Sequence, residues 1–195
     1  MLLPSTVATT DKWEKSAWLA SFSGQVLPKV YVDTALQYDS ANQEVDRYSI
    51  GTRYQPEPGK VLNVSYRYYR DSSAPIDQVD FSGQWPLGGG WYGVGRYNYS
   101  FSDDASNAAT STTAAQDGRV IQAIGGLEYN GGCWVVRGVV QRTALTVDSS
   151  STGFFIQLEL SGFSRIGSDP MNLLRRNIQG YSLINQPTAS TVLGQ

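Results

Sequence analysis

The sequence predicts an all-β protein: an antiparallel transmembrane β-barrel segment of about nine strands, with a short C-terminal helix and tail. Three observations point to it. Apolar or aromatic residues alternate with polar, often charged ones along almost the whole chain, in segments of about ten residues. Residues that favour tight turns separate many of these segments, among them Pro28, Pro58, Gly59, Gly89, Gly90, Gly131 and Gly132. Mean hydropathy is −0.29. No run reaches the ~18 consecutive apolar residues of a membrane helix, whereas a barrel strand needs only every second residue apolar.

Residues 1–16 read as a loop or an incomplete strand, and residues 17–163 as the barrel strands. The first strand is near Trp18–Val26. The second, near Val30–Tyr38, sets Val30, Val32, Thr34, Leu36 and Tyr38 against Asp33 and Gln37. The third, near Asp46–Gln55, sets Tyr48, Ile50, Thr52 and Tyr54 against Arg47, Ser49 and Arg53. The fourth, near Val61–Arg70, sets Leu62, Val64, Tyr66 and Tyr68 against Asn63, Ser65 and Arg67. In the fifth, near Gln78–Leu87, Val79, Phe81 and Trp85 oppose Asp80, Ser82 and Gln84. In the sixth, near Trp91–Ser102, Trp91, Tyr97, Tyr99 and Phe101 oppose Arg96, Asn98 and Ser100. The seventh is near Arg119–Tyr129, the eighth near Cys133–Thr146 and the ninth near Phe154–Gly162.

Connections alternate in character. Leu27-Pro28-Lys29, Pro56-Glu57-Pro58-Gly59, Pro86-Leu87-Gly88-Gly89-Gly90 and Asn130-Gly131-Gly132 are tight turns, built from residues that fix φ or adopt φ > 0. The others are polar and mostly longer, above all Asp103–Asp117. Outer-membrane barrels have short periplasmic turns and long outside loops. Parity therefore sends odd strands inward, puts Ser106–Gln116 outside and ends strand nine in the periplasm. Tyr54, Trp85, Trp91, Tyr129 and Trp134 flank the tight turns and are expected to form the periplasmic aromatic girdle.

Alternation stops after strand nine. Ser168–Ile178 reads as a short helix, capped by Ser168 or Asp169, with Pro170 in its first turn. Arg175 and Arg176 complement its C-terminal end. Gln179–Gln195 reads as a loose tail, so residues 164–195 are expected to form a periplasmic tail with a short helix.

Composition excludes several functions. The net charge of −2 and pI near 5.1 argue against a nucleic-acid partner. There is no His, which removes Ser-His-Asp catalysis and His acid–base chemistry. With a single cysteine, Cys133, neither a metal site nor an internal disulfide is expected. Glu128 and Glu159 superficially resemble a hydrolase carboxylate pair, but no catalytic residue and no cofactor is expected. The N-terminus lacks the basic and apolar regions of a signal peptide; the chain is then a fragment of a longer precursor, or the membrane reading fails. Alternatives are a self-contained small outer-membrane barrel acting as a pore or adhesin, a barrel hydrolase, and a soluble β-sandwich. A sandwich would have shorter strands, of about 5–6 residues.

Several segments occur in a telling order. They are Arg53 through Tyr68; Gln84-Trp85-Pro86-Leu87 followed by Trp91 through Ser100; Gly126-Leu127-Glu128-Tyr129; Gly132-Cys133-Trp134; Gln157 through Phe163; and Leu173 through Ile178. The ordered set, covering roughly residues 15–182, resembles the C-terminal part of the outer-membrane LPS-assembly family LptD, also called OstA. The resemblance implies a large outer-membrane barrel that takes lipopolysaccharide from a periplasmic bridge protein, encloses the plug lipoprotein LptE, and releases its cargo into the outer leaflet. On the alternation, Arg47, Arg53, Arg67, Arg96 and Arg137 face the lumen with Glu128 and Glu159, which are candidates to pair with these arginines. There the arginines are candidates for contact with lipid phosphates or the plug, or simply solvated lumen charge. The family often carries adjacent cysteines where this chain has Gly132-Cys133, which implies a disulfide from Cys133 to a partner outside this chain.

Overall fold

A computed structural model describes residues 17–40, 42–70, 76–101, 118–145, 149–160 and 165–185. They form one antiparallel sheet in strict chain order. Its strands are β1 (Trp18–Leu27), β2 (Val30–Asp39), β3 (Glu44–Glu57), β4 (Lys60–Tyr69), β5 (Ile76–Gly88), β6 (Trp91–Ser100), β7 (Arg119–Asn130), β8 (Trp134–Ala144), β9 (Ser150–Leu160) and β10 (Arg165–Gly167). Helix α1 (Pro170–Asn177) follows. Among the described residues β1 pairs only with β2 and β10 only with β9. Residues 1–16, the loop Ser106–Gln116 and residues 186–195 lie outside the described residues.

All nine expected strands are present. The sheet does not end there: β10 pairs Arg165, Ile166 and Gly167 with Glu159, Leu158 and Gln157. Three residues are too few for an alternation to be read. Strand eight starts at Trp134, so Cys133 lies in the turn. The first nine strands run from 10 to 14 residues. Ten residues at ~3.3 Å each, tilted by ~45°, rise ~23 Å, close to the ~25 Å apolar band of an outer-membrane barrel.

The tight turns use the expected backbone. Lys29 and Gly59 have φ of 69° and 78°. At Gly90, φ is 85° and a Cβ would stand 2.7 Å from the Asn130 carbonyl oxygen, so glycine is required twice over. Pro56 and Pro86 sit beside register shifts in β3 and β5, where a missing N–H costs no regular ladder bond.

Register makes the two faces explicit. Ile50 pairs with Tyr66, Val64 with Phe81, and Phe81 with Tyr97. This face is open: Leu62, Phe81, Trp91 and Phe154 are exposed, and Ile156 is 68% exposed. On the opposite face Gln84, Glu128 and Arg137 are 0% exposed. A water-soluble sheet does the reverse. Apolar exposure from β1 to β9 far exceeds the few hundred Å² of a typical soluble monomer.

Over part of β3 to β9 the polar face is covered by α1 and by residues 178–185, here called the strap. One row crosses six strands in register on that face: Val61, Gln84, Val94, Gly126, Val139 and Phe155. Val61, Val94, Val139 and Ile124 bury against Leu174 and Ile178. Met171, Leu174 and Ile178 recur at helical spacing, so α1 presents one apolar stripe to this row. Asp169 is the N-cap, accepting from the Asn172 N–H, and Pro170 opens the helix. One expectation is corrected: residues 179–185 are not loose, because the valine row draws in α1 and the polar side chains beyond it bind the strap.

In the complete protein, Ile156→Arg is expected to cost about 2–4 kcal/mol of barrel stability, and Gln141→Arg on the opposite face less than about 1 kcal/mol. Urea titration of the folded, gel-shifted barrel measures both; equal losses would refute the assignment of faces.

Candidate functional site: a braced inward face

The row next to the valines is Tyr92, Glu128, Arg137, Gln157 and Gly167. The following row is Asn130, Val135, Glu159 and Arg165. Strand pairing alone thus sets Glu128 directly across from Arg137, a favourable opposite-charge pair. The Arg137 Nε donates to Glu128 Oε1 at 2.9 Å. Its Nη1 donates to Gln157 Oε1 at 3.3 Å and to Glu159 Oε2 at 2.6 Å. Arg165 Nε reaches the other Glu159 oxygen at 3.3 Å. One buried guanidinium therefore bridges two carboxylates on neighbouring strands.

The strap completes the cluster. Gln84 Nε2 donates to Glu128 Oε2 at 2.9 Å and to the Ser182 carbonyl at 3.0 Å, and the Ser182 N–H returns a bond to Gln84 Oε1 at 3.0 Å. Tyr181 donates its hydroxyl to Glu128 Oε1. Burial, then the Glu128 carboxylate, raises the pKa of Tyr181 above the usual phenol range, so the phenol stays a donor. Asn185 Nδ2 donates to Glu159 Oε1 at 2.9 Å. Elsewhere along the strap and its approach, Asn63 Nδ2 binds the Gln179 carbonyl at 2.9 Å, Gln55 Nε2 the Gly180 carbonyl at 3.3 Å and Asn130 Nδ2 the Ile184 carbonyl at 2.6 Å. Backbone groups without a ladder partner are thereby satisfied by sheet side chains.

The structure brings Arg137, Glu128 and Glu159 together and leaves the other expected inward arginines outside this cluster. Arg96 pairs with Asp80 at 2.7 Å and donates to Gln122 at 3.2 Å. Arg47 lies over the Tyr69 ring at 4.6 Å, and Arg53 over Tyr31 at 4.9 Å. Arg67 is exposed. Because Arg137 holds both Glu128 and Glu159, neither is a free acid or base. Among the described residues no group of three or more His, Cys, Asp or Glu is placed to hold a metal.

At the turn end, Trp91 and Tyr129 stand 4.8 Å apart and Tyr129 and Trp134 5.1 Å apart, ring to ring. Tyr54 and Trp85 are exposed near the same ends of β3 and β5. Cys133 is an exposed free thiol in the β7–β8 turn. Sequence reasoning missed Gln84, Gln157, Tyr181, Ser182 and Asn185 as members of the cluster. A signal was present: Trp134-Val135-Val136-Arg137-Gly138-Val139-Val140 is apolar on both faces apart from one arginine, so something must cover each face.

Residues 3–91 match the family model described as LptD, LPS transport system D. The chain is 44% identical over 176 residues to the LPS-assembly protein LptD of Aromatoleum aromaticum, covering 90% of this chain and 20% of that protein. Against the protein of the same name from Azoarcus sp. it is 44% identical over 181 residues, with 90% and 20% covered. Against that of Bordetella pertussis it is 38% identical over 182 residues, with 89% and 23% covered. The chain spans about a fifth of the length of the first two relatives.

Arg137→Ala leaves two buried carboxylates without their cation and is expected to cost about 3–5 kcal/mol. Arg165→Ala removes a half-exposed partner and is expected to cost less than about 1 kcal/mol. Urea titrations of the complete protein decide; a small loss at Arg137 would show that the cluster braces nothing.

Proposed function

We propose, from a likeness to the LptD family that runs through nine-tenths of the chain and from the polarity of its sheet, that the chain is part of a barrel wall in the bacterial outer membrane and serves to assemble lipopolysaccharide into the outer leaflet. The observation that carries this is the pairing of an exposed apolar face with a covered polar one. Lipid tolerates strands only where every backbone group is paired, and the ladder is continuous from β1 to β10. The wall performs no catalysis in this reading. It separates lipid from a polar path and holds the lining of that path in place.

Among the described residues the long edge of β1 has no partner strand, and a free edge in lipid needs one, which favours a segment of a larger wall over a self-contained pore or adhesin. Residues 17–163 then form the wall. Residues 164–195 begin at the periplasmic end, and α1 and the strap line the lumen. The partners in this reading are lipopolysaccharide, the plug lipoprotein LptE, a periplasmic bridge protein and outer-membrane lipid. The girdle of Tyr54, Trp85, Trp91, Tyr129 and Trp134 sits at the periplasmic interface. Cys133, exposed in a periplasmic turn, forms a disulfide with a cysteine outside this chain.

Depletion of the complete protein is expected to stop newly made lipopolysaccharide from reaching the cell surface, read by labelling of intact cells; undiminished surface delivery would sink the proposal. Cys133→Ser is expected to abolish the mobility difference between reduced and non-reduced gels. Free alkylation of Cys133 in protein from native membranes would end the disulfide assignment.

A further inference from the structure

The outward face is not evenly packed. A groove of about 870 Å³ crosses it between β4 and β8, within the size range of small-molecule sites. Its floor is one register row: Leu62, Gly83, Gly95, Gly125 and Val140. Three successive strands contribute no side chain to that row. Phe81 and Tyr97 rise on one side, in the row that continues through Ala123 to Arg142. Trp85 stands on the other, beside Gly93.

The backbone does not demand all of these glycines. Gly83 is required, since a Cβ would stand 2.7 Å from the Val61 carbonyl oxygen. Gly125 is different: its φ is not positive, and a Cβ there would meet nothing within 4 Å. Glycine weakens a strand, and where no neighbour demands it, it marks a place that another molecule approaches closely. Arg142 is a second, independent mark. It and Arg96 are the only charged residues in the lining, and Arg96 lies on the inward face, paired with Asp80. Arg142 is exposed and has no hydrogen bond or ion pair among the described residues. It stands two residues from the end of β8, where a long side chain reaches the headgroup level. An unpaired cation at the rim of an apolar groove is complementary to an amphiphile with an anionic head.

We propose that this groove holds one glycerophospholipid, with an acyl chain over Gly95 and Gly125 and the phosphodiester on Arg142. The guanidinium fork matches two phosphate oxygens in paired hydrogen bonds. Charge selects the lipid: one cation answers the single negative charge of a phosphodiester, and the lining offers no second cation on this face for a head bearing several phosphates. Dispersion favours the chain, which fills bare backbone that the rings of Phe81, Tyr97 and Trp85 shield from bulk lipid. The site rests on the proposed reading of this face as lipid-facing. Its occupant stays with the wall, apart from anything that moves along the inward side.

The test uses the complete protein, purified in mild detergent with its bound partners, dioleoyl phosphatidylglycerol as probe, and native mass spectrometry as readout. Wild-type protein is expected to retain one phospholipid that two variants lose. Gly125→Leu, whose Cβ has open space, and Arg142→Gln, at an exposed site, are each expected to weaken retention about tenfold or more. An unchanged gel shift verifies folding, and Arg142→Gln decides alone if Gly125→Leu does not fold. No phospholipid on wild-type protein, or wild-type retention in either folded variant, overturns the proposal. Lipopolysaccharide retained in its place, and lost with Arg142→Gln, overturns the choice of lipid. Failure of retention while depletion still blocks surface delivery sinks this site alone; surface delivery that survives depletion sinks the proposed function itself.

Discussion

The interior of this wall is organised around one guanidinium. Arg137 is fully buried, and a buried charge is tolerable only with excellent pairing. Pairing comes from Glu128 on the strand before and Glu159 on the strand after, with Gln157 as a neutral acceptor. Two carboxylates on one cation leave surplus acceptor capacity. Gln84, Tyr181, Asn185 and Arg165 take it up. The strap is thus held where it is because the cluster beneath it needs donors from above, and the strap in turn keeps water from the cluster.

Two opposed demands meet in each strand. Most outward residues need supply only apolar bulk, which leaves sequence loosely specified. Inward residues must satisfy one another, which asks for particular partners at particular registers. Val139 and Arg137 are two residues apart on the same face of β8; one packs against the α1 region and the other anchors the salt-bridge cluster. The inward face is therefore a mosaic. An apolar row docks a helix, a charged row docks a strap, and a basic hollow on β2 to β6 lies beyond the apolar row.

How much of this was legible follows from the range of the forces involved. Alternation is local, so Phe154 to Leu160 announces a strand without knowledge of any neighbour. Turn chemistry is local too, and Gly90 or Lys29 mark their corners directly. The closeness of the Trp91, Tyr129 and Trp134 rings follows too, since all three sit beside those turns. The ordered motifs from Arg53 to Ile178 carried the family likeness. What stayed hidden depends on distant partners. Nothing near Ser182 says that Gln84 is waiting for its backbone, and Asn185 looks like any polar tail residue until Glu159 is placed beneath it. Val61, Val94 and Val139 read as exceptions to a polar face until α1 is seen to cover them. The short β10 escapes because three residues show no period, although Gly167, with φ of 114° and a Cβ position 2.3 Å from the Ile156 carbonyl oxygen, marks where the chain leaves the sheet.

The strap also bears on how such a wall is made. Its approach and length touch Gln55, Asn63, Gln84, Asn130 and Glu159, on five different strands, and the bond from Gln55 to Gly180 closes a separation of 125 residues. Contacts of such range form late, after the local hairpins have paid their entropy. A slip of one residue in any of those strands would turn its contact to the opposite face and remove one anchor from the strap. Docking of these few residues therefore requires five strands to be in phase together.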